Sequence, residues 1–120
     1  GISSSIPTER LDVDGNGKFS GTVVAADFNS ASDISLKKNI KILDNPIDKV
    51  MKLEGVSFTW KETGKKSLGV IAQQIETVLP ELVSGESIKT VNYNGLIGLL
   101  IECVKNQQEQ IEELKRLVDK

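Results

Sequence analysis

Apolar residues follow three different rhythms along the chain. From residue 97 they recur alternately three and four positions apart, at Ile97, Leu100, Val104, Ile111, Leu114 and Val118, with Gln107 as the one polar turn. Such spacing is the seam of a coiled coil, expected over 94–118 with Asn94 as a helix N-cap. Around this seam, residues 105–120 are so polar and charged that only a narrow stripe can be buried. A polar seam residue such as Gln107 fixes register and strand number at some cost in stability. The seam's alternation of isoleucine or valine with leucine leaves dimer and trimer open. The competing reading is an amphipathic helix packed on its own domain.

The middle of the chain mixes short periods. Ile47, Val50, Met51 and Leu53 share one face of a helix over 46–53, which Gly55 can end. Residues 56–60 alternate as a strand, 61–67 are a polar glycine-containing turn and 68–72 read as a second strand, so that 56–72 predicts a hairpin. A helix is expected over 73–79, stopped by Pro80, and a third short strand over 88–93. Residues 1–31 differ. They are rich in Gly, Ser and Thr, and two alternating pieces, 10–13 and 21–25, flank Gly15-Asn16-Gly17. That pattern predicts strand, turn, strand. The segment is too short to bury a core of its own and reads as the last piece of a longer β structure. The fold class expected is α+β: a small antiparallel sheet with short helices and a long C-terminal helix, preceded by a short β-rich stretch.

Composition narrows the function. With 120 residues, 38% of them apolar, the chain holds one small domain and an appendage, a size at which oligomerisation helps stability. A net charge of -2 leaves no electrostatic footprint for nucleic acid. No apolar run approaches a membrane span, and no signal peptide is evident in residues 1–10. Cys103, the single cysteine, falls in a helical pattern and reads as a small buried apolar residue.

The chain has no histidine. If it performs covalent chemistry, a serine activated by a lysine is the main option left. Ser32 and Lys37 stand five positions apart where the β-rich stretch ends. In a continuous α-helix such positions diverge by about 140°, so contact needs a break after Asp33 or a partner chain. A lysine acts as base only as the neutral amine. With an ordinary pKa of roughly 10.4, it needs desolvation or neighbouring positive charge, which Lys38 and Lys41 could supply. The competing reading makes Ser32 and Asp33 simple helix caps and Lys37 a solvated side chain. Asn39, Gln73 and backbone N–H groups are the oxyanion donors the chemistry permits.

Other motifs carry less. Asp12, Asp14 and Asn16 with Gly17 imitate the start of a calcium loop, but its last position is Val23 and its flanks read as strands. A hairpin turn explains them. Phe58, Trp60 and Tyr93 read as core or subunit contacts, and Lys61, Lys65 and Lys66 as a solvated turn.

Three blocks of residues resemble a known family. They are Ser32-Asp33 with Leu36-Lys37 and Asn39-Ile40; Phe58-Thr59-Trp60 with 69–73 and 79–83; and Val91-Asn92-Tyr93 with Leu96-Ile97 and Leu99-Leu100. Their order and spacing are similar to the self-cleaving intramolecular chaperone domain at the C-terminus of phage tail spikes, tail fibres and neck appendages, the endosialidase type. Ser35 departs from the arginine or other charged residue frequent in the family.

The resemblance implies a homotrimer that folds its upstream spike or fibre polypeptide and then releases itself by autoproteolysis. The cut would fall at Ala31–Ser32, with Ser32 as nucleophile and Lys37 as general base. The seam Ile97, Leu100, Val104, Gln107, Ile111, Leu114 and Val118 would then be a three-stranded coiled coil. Residues 1–31 would be the end of the stalk and 32–120 the chaperone domain, made in the host cytoplasm as part of a virion tail or appendage precursor and shed after cleavage. No cofactor, metal, nucleic acid or membrane is expected. The alternative is a non-cleaving trimerisation module of a fibre protein.

Overall fold

A computed structural model describes residues 2–119. The chain divides into two units, Gly1–Ile40 and Lys41–Lys120.

In the first unit, the expected strand–turn–strand of residues 1–31 does not form. The described part has one isolated parallel bridge, Ile2 to Val13, in which Ile2 N donates to Asp12 O at 2.6 Å and Asp14 N donates to Ile2 O at 2.9 Å. Residues 21–25 make no strand, and Val24 is 89% exposed. A two-stranded ribbon with no apolar face to cover is marginal in water, so alternation alone does not pair these pieces. Asp12 uses its Oδ2 to accept from Thr8 N at 2.8 Å and Thr8 Oγ1 at 3.3 Å, a local turn in the calcium-like stretch. The unit's regular element is a 3-10 turn, Ile34–Leu36.

The second unit is α+β. Helix α1 (Pro46–Val50) opens on a left-handed Asn45 with Pro46 at its first turn, where proline's missing N–H costs nothing. Strands β1 (Val56–Thr59) and β2 (Lys66–Gly69) form the expected hairpin, with Val56 opposite Gly69 and Thr59 opposite Lys66. The second strand begins two residues earlier than the pattern predicts. Gly64, at φ +72°, closes the turn as Gly64 N donates to Trp60 O and Trp60 N to Lys65 O, each at 2.8 Å, so pairing starts at Thr59 and Lys66. Ile71 then caps helix α2 (Ala72–Glu76) instead of continuing the strand. A second 3-10 turn, Pro80–Leu82, follows.

Strand β3 (Val83–Ser84) pairs antiparallel with β4 (Thr90–Val91). Among the described residues there are thus two separate two-stranded sheets where one small sheet was expected. Helix α3 (Tyr93–Val118) completes the unit. Its N-cap is Asn92, not Asn94: Asn92 is extended and its Oδ1 accepts from Asn94 N at 3.0 Å, while Asn94 already lies inside the first turn.

Ile75 and Leu79 from α2 and its end meet Leu99 and Cys103 from α3 in the buried core. Ile47 and Val50 of α1, Val83 of β3, Val91 of β4 and Leu96 of α3 pack around them. Cys103 is 4% exposed, as its helical setting predicts. Gly95 has no room for a side chain, because a Cβ there would strike the methyl groups of Leu82. Tyr93 Oη accepts from Val70 N at 3.3 Å, fastening the start of α3 to the residue after the first hairpin. Trp60 stands edge-on to Phe58, ring centroids 5.1 Å apart, and both Trp60 and Tyr93 remain about half exposed.

Candidate functional site

Asp33 is extended at φ -64°, ψ 139°, residues 34–36 make one 3-10 turn, and Lys37 is extended again at φ -125°, ψ 148°. Extended, tight turn, extended is a reversal. Leu36 N donates to Asp33 O at 3.0 Å and Lys37 N to Ile34 O at 3.1 Å, which closes it. The two flanking residues therefore stand side by side, and Lys37 Nζ lies 2.6 Å from Ser32 Oγ as a hydrogen bond. The break that a five-residue spacing requires is a single 3-10 turn, and the contact forms within one chain.

Asp33 holds that turn from its start. Its Oδ1 accepts from Ser35 N at 2.9 Å and from Ser35 Oγ at 2.6 Å. Those two bonds favour the ionised carboxylate, so the Asp33 carboxyl sits below its ordinary range. The capping role weighed as an alternative to a working pair thus coexists with the Ser32–Lys37 contact. The part played by Ser35 was missed. Its signal is Asp33-x-Ser35, a short acidic side chain two residues before a donor, the spacing of an Asx turn.

Ala31, Ser32 and Lys37 are all exposed. The contact provides a direct line for a proton between hydroxyl and amine, and the exposed Ala31–Ser32 peptide lies next to the hydroxyl by covalent connection. Asn39 adopts the left-handed conformation at φ +55°. Gln73 is exposed in α2 of the second unit.

The residues expected to form a seam lie on α3. Leu99 and Cys103 point into the core, whereas Ile97, Leu100 and Val104 are 56%, 50% and 64% exposed. At 100° per residue these two sets are centred roughly a third of a turn apart, so the first half of α3 carries two apolar faces. Ile97, Leu100, Ile101 and Val104 with Lys105 line a shallow apolar groove on the second face. Residues 107–118, including Gln107, Ile111, Leu114 and Val118, are exposed throughout. Lys105–Glu102 and Arg116–Glu113 ion pairs lie along the same helix.

Among the described residues no group of His, Cys, Asp and Glu could hold a metal ion, and no helix is long and apolar enough to cross a membrane.

The family described as chaperone of endosialidase matches residues 32–84, a stretch that opens on Ser32 and takes in Lys37 and both hairpins' first strands. The chain carries a chaperone-of-endosialidase domain. Curated relatives of the chaperone domain are long tail fiber proteins Gp37. That of Salmonella phage S16 is 33% identical over 109 residues, 80% of this chain and 15% of the fibre protein. That of Enterobacteria phage T2 is 38% identical over 95 residues, 70% of this chain and 7% of the fibre protein. That of Enterobacteria phage Ox2 is 33% identical over 113 residues, 84% of this chain and 43% of the fibre protein. The chain spans less than half the length of each of these relatives.

Proposed function

We propose that this chaperone domain trimerises and folds the polypeptide upstream of it in a phage tail fibre, spike or appendage, and then releases itself by cutting Ala31–Ser32. The observation that carries the proposal is the 2.6 Å contact between Lys37 Nζ and Ser32 Oγ, at the residue where the family match begins. In this reading residues 1–31 are the end of the stalk and 32–120 the chaperone.

The cut runs in two steps. Lys37, as the neutral amine, takes the proton from Ser32 Oγ while the oxygen attacks the Ala31 carbonyl carbon. The C–N bond of the peptide breaks, and the lysine returns the proton to the Ser32 nitrogen. Ala31 is then an ester on Ser32 Oγ, and Ser32 has a free amine. Water attacks the ester carbonyl, which leaves the Ala31 carboxylate on the stalk and restores the Ser32 hydroxyl at the new N-terminus. The bond that reacts belongs to the nucleophile's own residue, so the reaction happens once.

The exposed second face of α3 supports the assembly half of the reading. Ile97, Leu100, Val104, Ile111, Leu114 and Val118 form a stripe that two further copies of the helix can cover knobs-into-holes, with Gln107 in the seam. In this reading the cut follows assembly, so that loss of the seam slows it.

The test is intact mass of freshly purified protein beside Ser32→Ala and Lys37→Ala. Wild type separates between Ala31 and Ser32, and both variants stay whole, a loss of at least ~100-fold in rate. Leu100→Glu with Val104→Glu is expected to leave monomers in sedimentation and to slow the cut. A wild type that stays whole while trimeric leaves a non-cleaving trimerisation module.

A further inference from the structure

We infer that Asp33 is a positioning residue for the cut: through Ser35 its carboxylate locks the 3-10 turn that brings Lys37 to Ser32. The inference rests on the Ser32–Lys37 reading and goes one residue deeper into it.

Ser32 and Lys37 are exposed, and their contact spans one 3-10 turn of a single chain. Their meeting therefore depends on how well residues 33–36 hold one shape. Two backbone bonds close the turn, Leu36 N to Asp33 O and Lys37 N to Ile34 O. A single 3-10 turn with bonds of this type is weak in water, because its geometry is poor and solvent competes for each group. Asp33 adds two charge-assisted bonds at the first residue of the turn, both on Oδ1, from Ser35 N at 2.9 Å and Ser35 Oγ at 2.6 Å. They fix the middle residue of the turn against its cap, and with it the direction in which Lys37 leaves. The same bonds hold the Asp33 carboxyl below its ordinary range, as expected of an acceptor that is used in the folded form.

Positioning and charge predict different behaviour. If Asp33 worked by its charge on Lys37, removing the charge would move the pH at which cutting rises. If it works by its bonds to Ser35, an uncharged acceptor of the same shape does nearly as well and the pH midpoint stays in place. Displacing a reacting pair by about an ångström costs up to a hundredfold in rate, which sets the scale.

The experiment measures the rate of the Ala31–Ser32 cut against pH in wild type, Asp33→Ala, Asp33→Asn, Ser35→Ala and Lys37→Ala. Sedimentation and melting temperature are recorded for each. Asp33→Ala is expected to cut tenfold to a hundredfold more slowly at every pH, with an unchanged midpoint and unchanged assembly. Ser35→Ala slows less, since the backbone N–H remains, and Asp33→Asn returns to within a few-fold of wild type. Asp33→Ala cutting at the wild-type rate, with Lys37→Ala inert, overturns this inference and leaves the dyad standing. So does a midpoint that moves in Asp33→Asn, or a slow Asp33→Ala that has also lost assembly. Wild type and all variants whole overturns the dyad itself, and the positioning role with it.

Discussion

The segment that would do chemistry and the unit that would do assembly are built on opposite principles. In residues 32–37 every side chain is exposed, and the bonds that shape the turn join residues at most five apart. In the second unit Ile75 and Leu99 are almost wholly buried, and the core gathers α1, α2, β3, β4 and α3 from across 46–118. A local turn can place two side chains without a core, but it holds them only as firmly as a few solvent-facing bonds allow. A core holds helices firmly but here covers only one face of α3, and leaves Ile97, Leu100 and Val104 on the other exposed.

The sharpest test of that contrast is Leu99→Ala. Leu99 is 2% exposed at the centre of the core, and its truncation is expected to destabilise the second unit by about 2–5 kcal/mol. Chemical denaturation checks this, at fixed concentration because any self-association would add to apparent stability. The hydrogen bonds among residues 32–37 run within that segment, so the Ser35 amide resonance is expected to keep its position in the variant. A Ser35 amide that moves with the core would break the comparison.

A smaller effect is expected at Asn92. Its Oδ1 satisfies an orphan N–H at the start of α3, and Asn92→Ala is expected to cost about 1 kcal/mol, read as a fall in melting temperature without loss of helix in circular dichroism. An unchanged melting temperature would mean that Tyr93, through its contact with Val70, fixes the helix start alone.

The same contrast explains what the residues reveal unaided. Helix α3 is legible because its period is regular and long. The first hairpin is legible as a hairpin, but its register depends on the left-handed Gly64, which moves the second strand to Lys66. Strands β3 and β4 are two residues each, too short to carry a period, and their pairing is visible only in three dimensions. The alternation at 10–13 and 21–25 is present and makes no hairpin, because alternation marks a face and here no described element covers it. The pairing of Ser32 with Lys37 is legible as residue types and not as geometry. Five positions match no regular helix, and the short Asp33-x-Ser35 turn that solves the spacing has no periodicity to read.

The last prediction concerns pH and is the smallest in energy. Asp33 is fully exposed, and its ordinary value is 3.8; the side-chain bond from Ser35, then the backbone bond from Ser35, lower it in the folded turn. A carboxyl lowered by folding favours the folded turn above its unfolded value, and that contribution fades as pH falls through the folded value. Order in residues 33–36 is therefore expected to be full at neutral pH and to be lost in the acid range below 3.8. Asp44 is lowered too, by its bond and attraction to Lys49 at 3.1 Å, and serves as an internal reference in the second unit. Titration followed at the Ser35 amide is expected to show a midpoint below that of a carboxyl in an unfolded peptide, and Ser35→Ala should raise it because the larger of the two bonds is gone. A Ser35 midpoint at the unfolded value would mean that water has replaced both bonds in solution. The turn would then depend on its two backbone bonds alone, and residues 33–36 would hold no fixed shape to set Lys37 against Ser32.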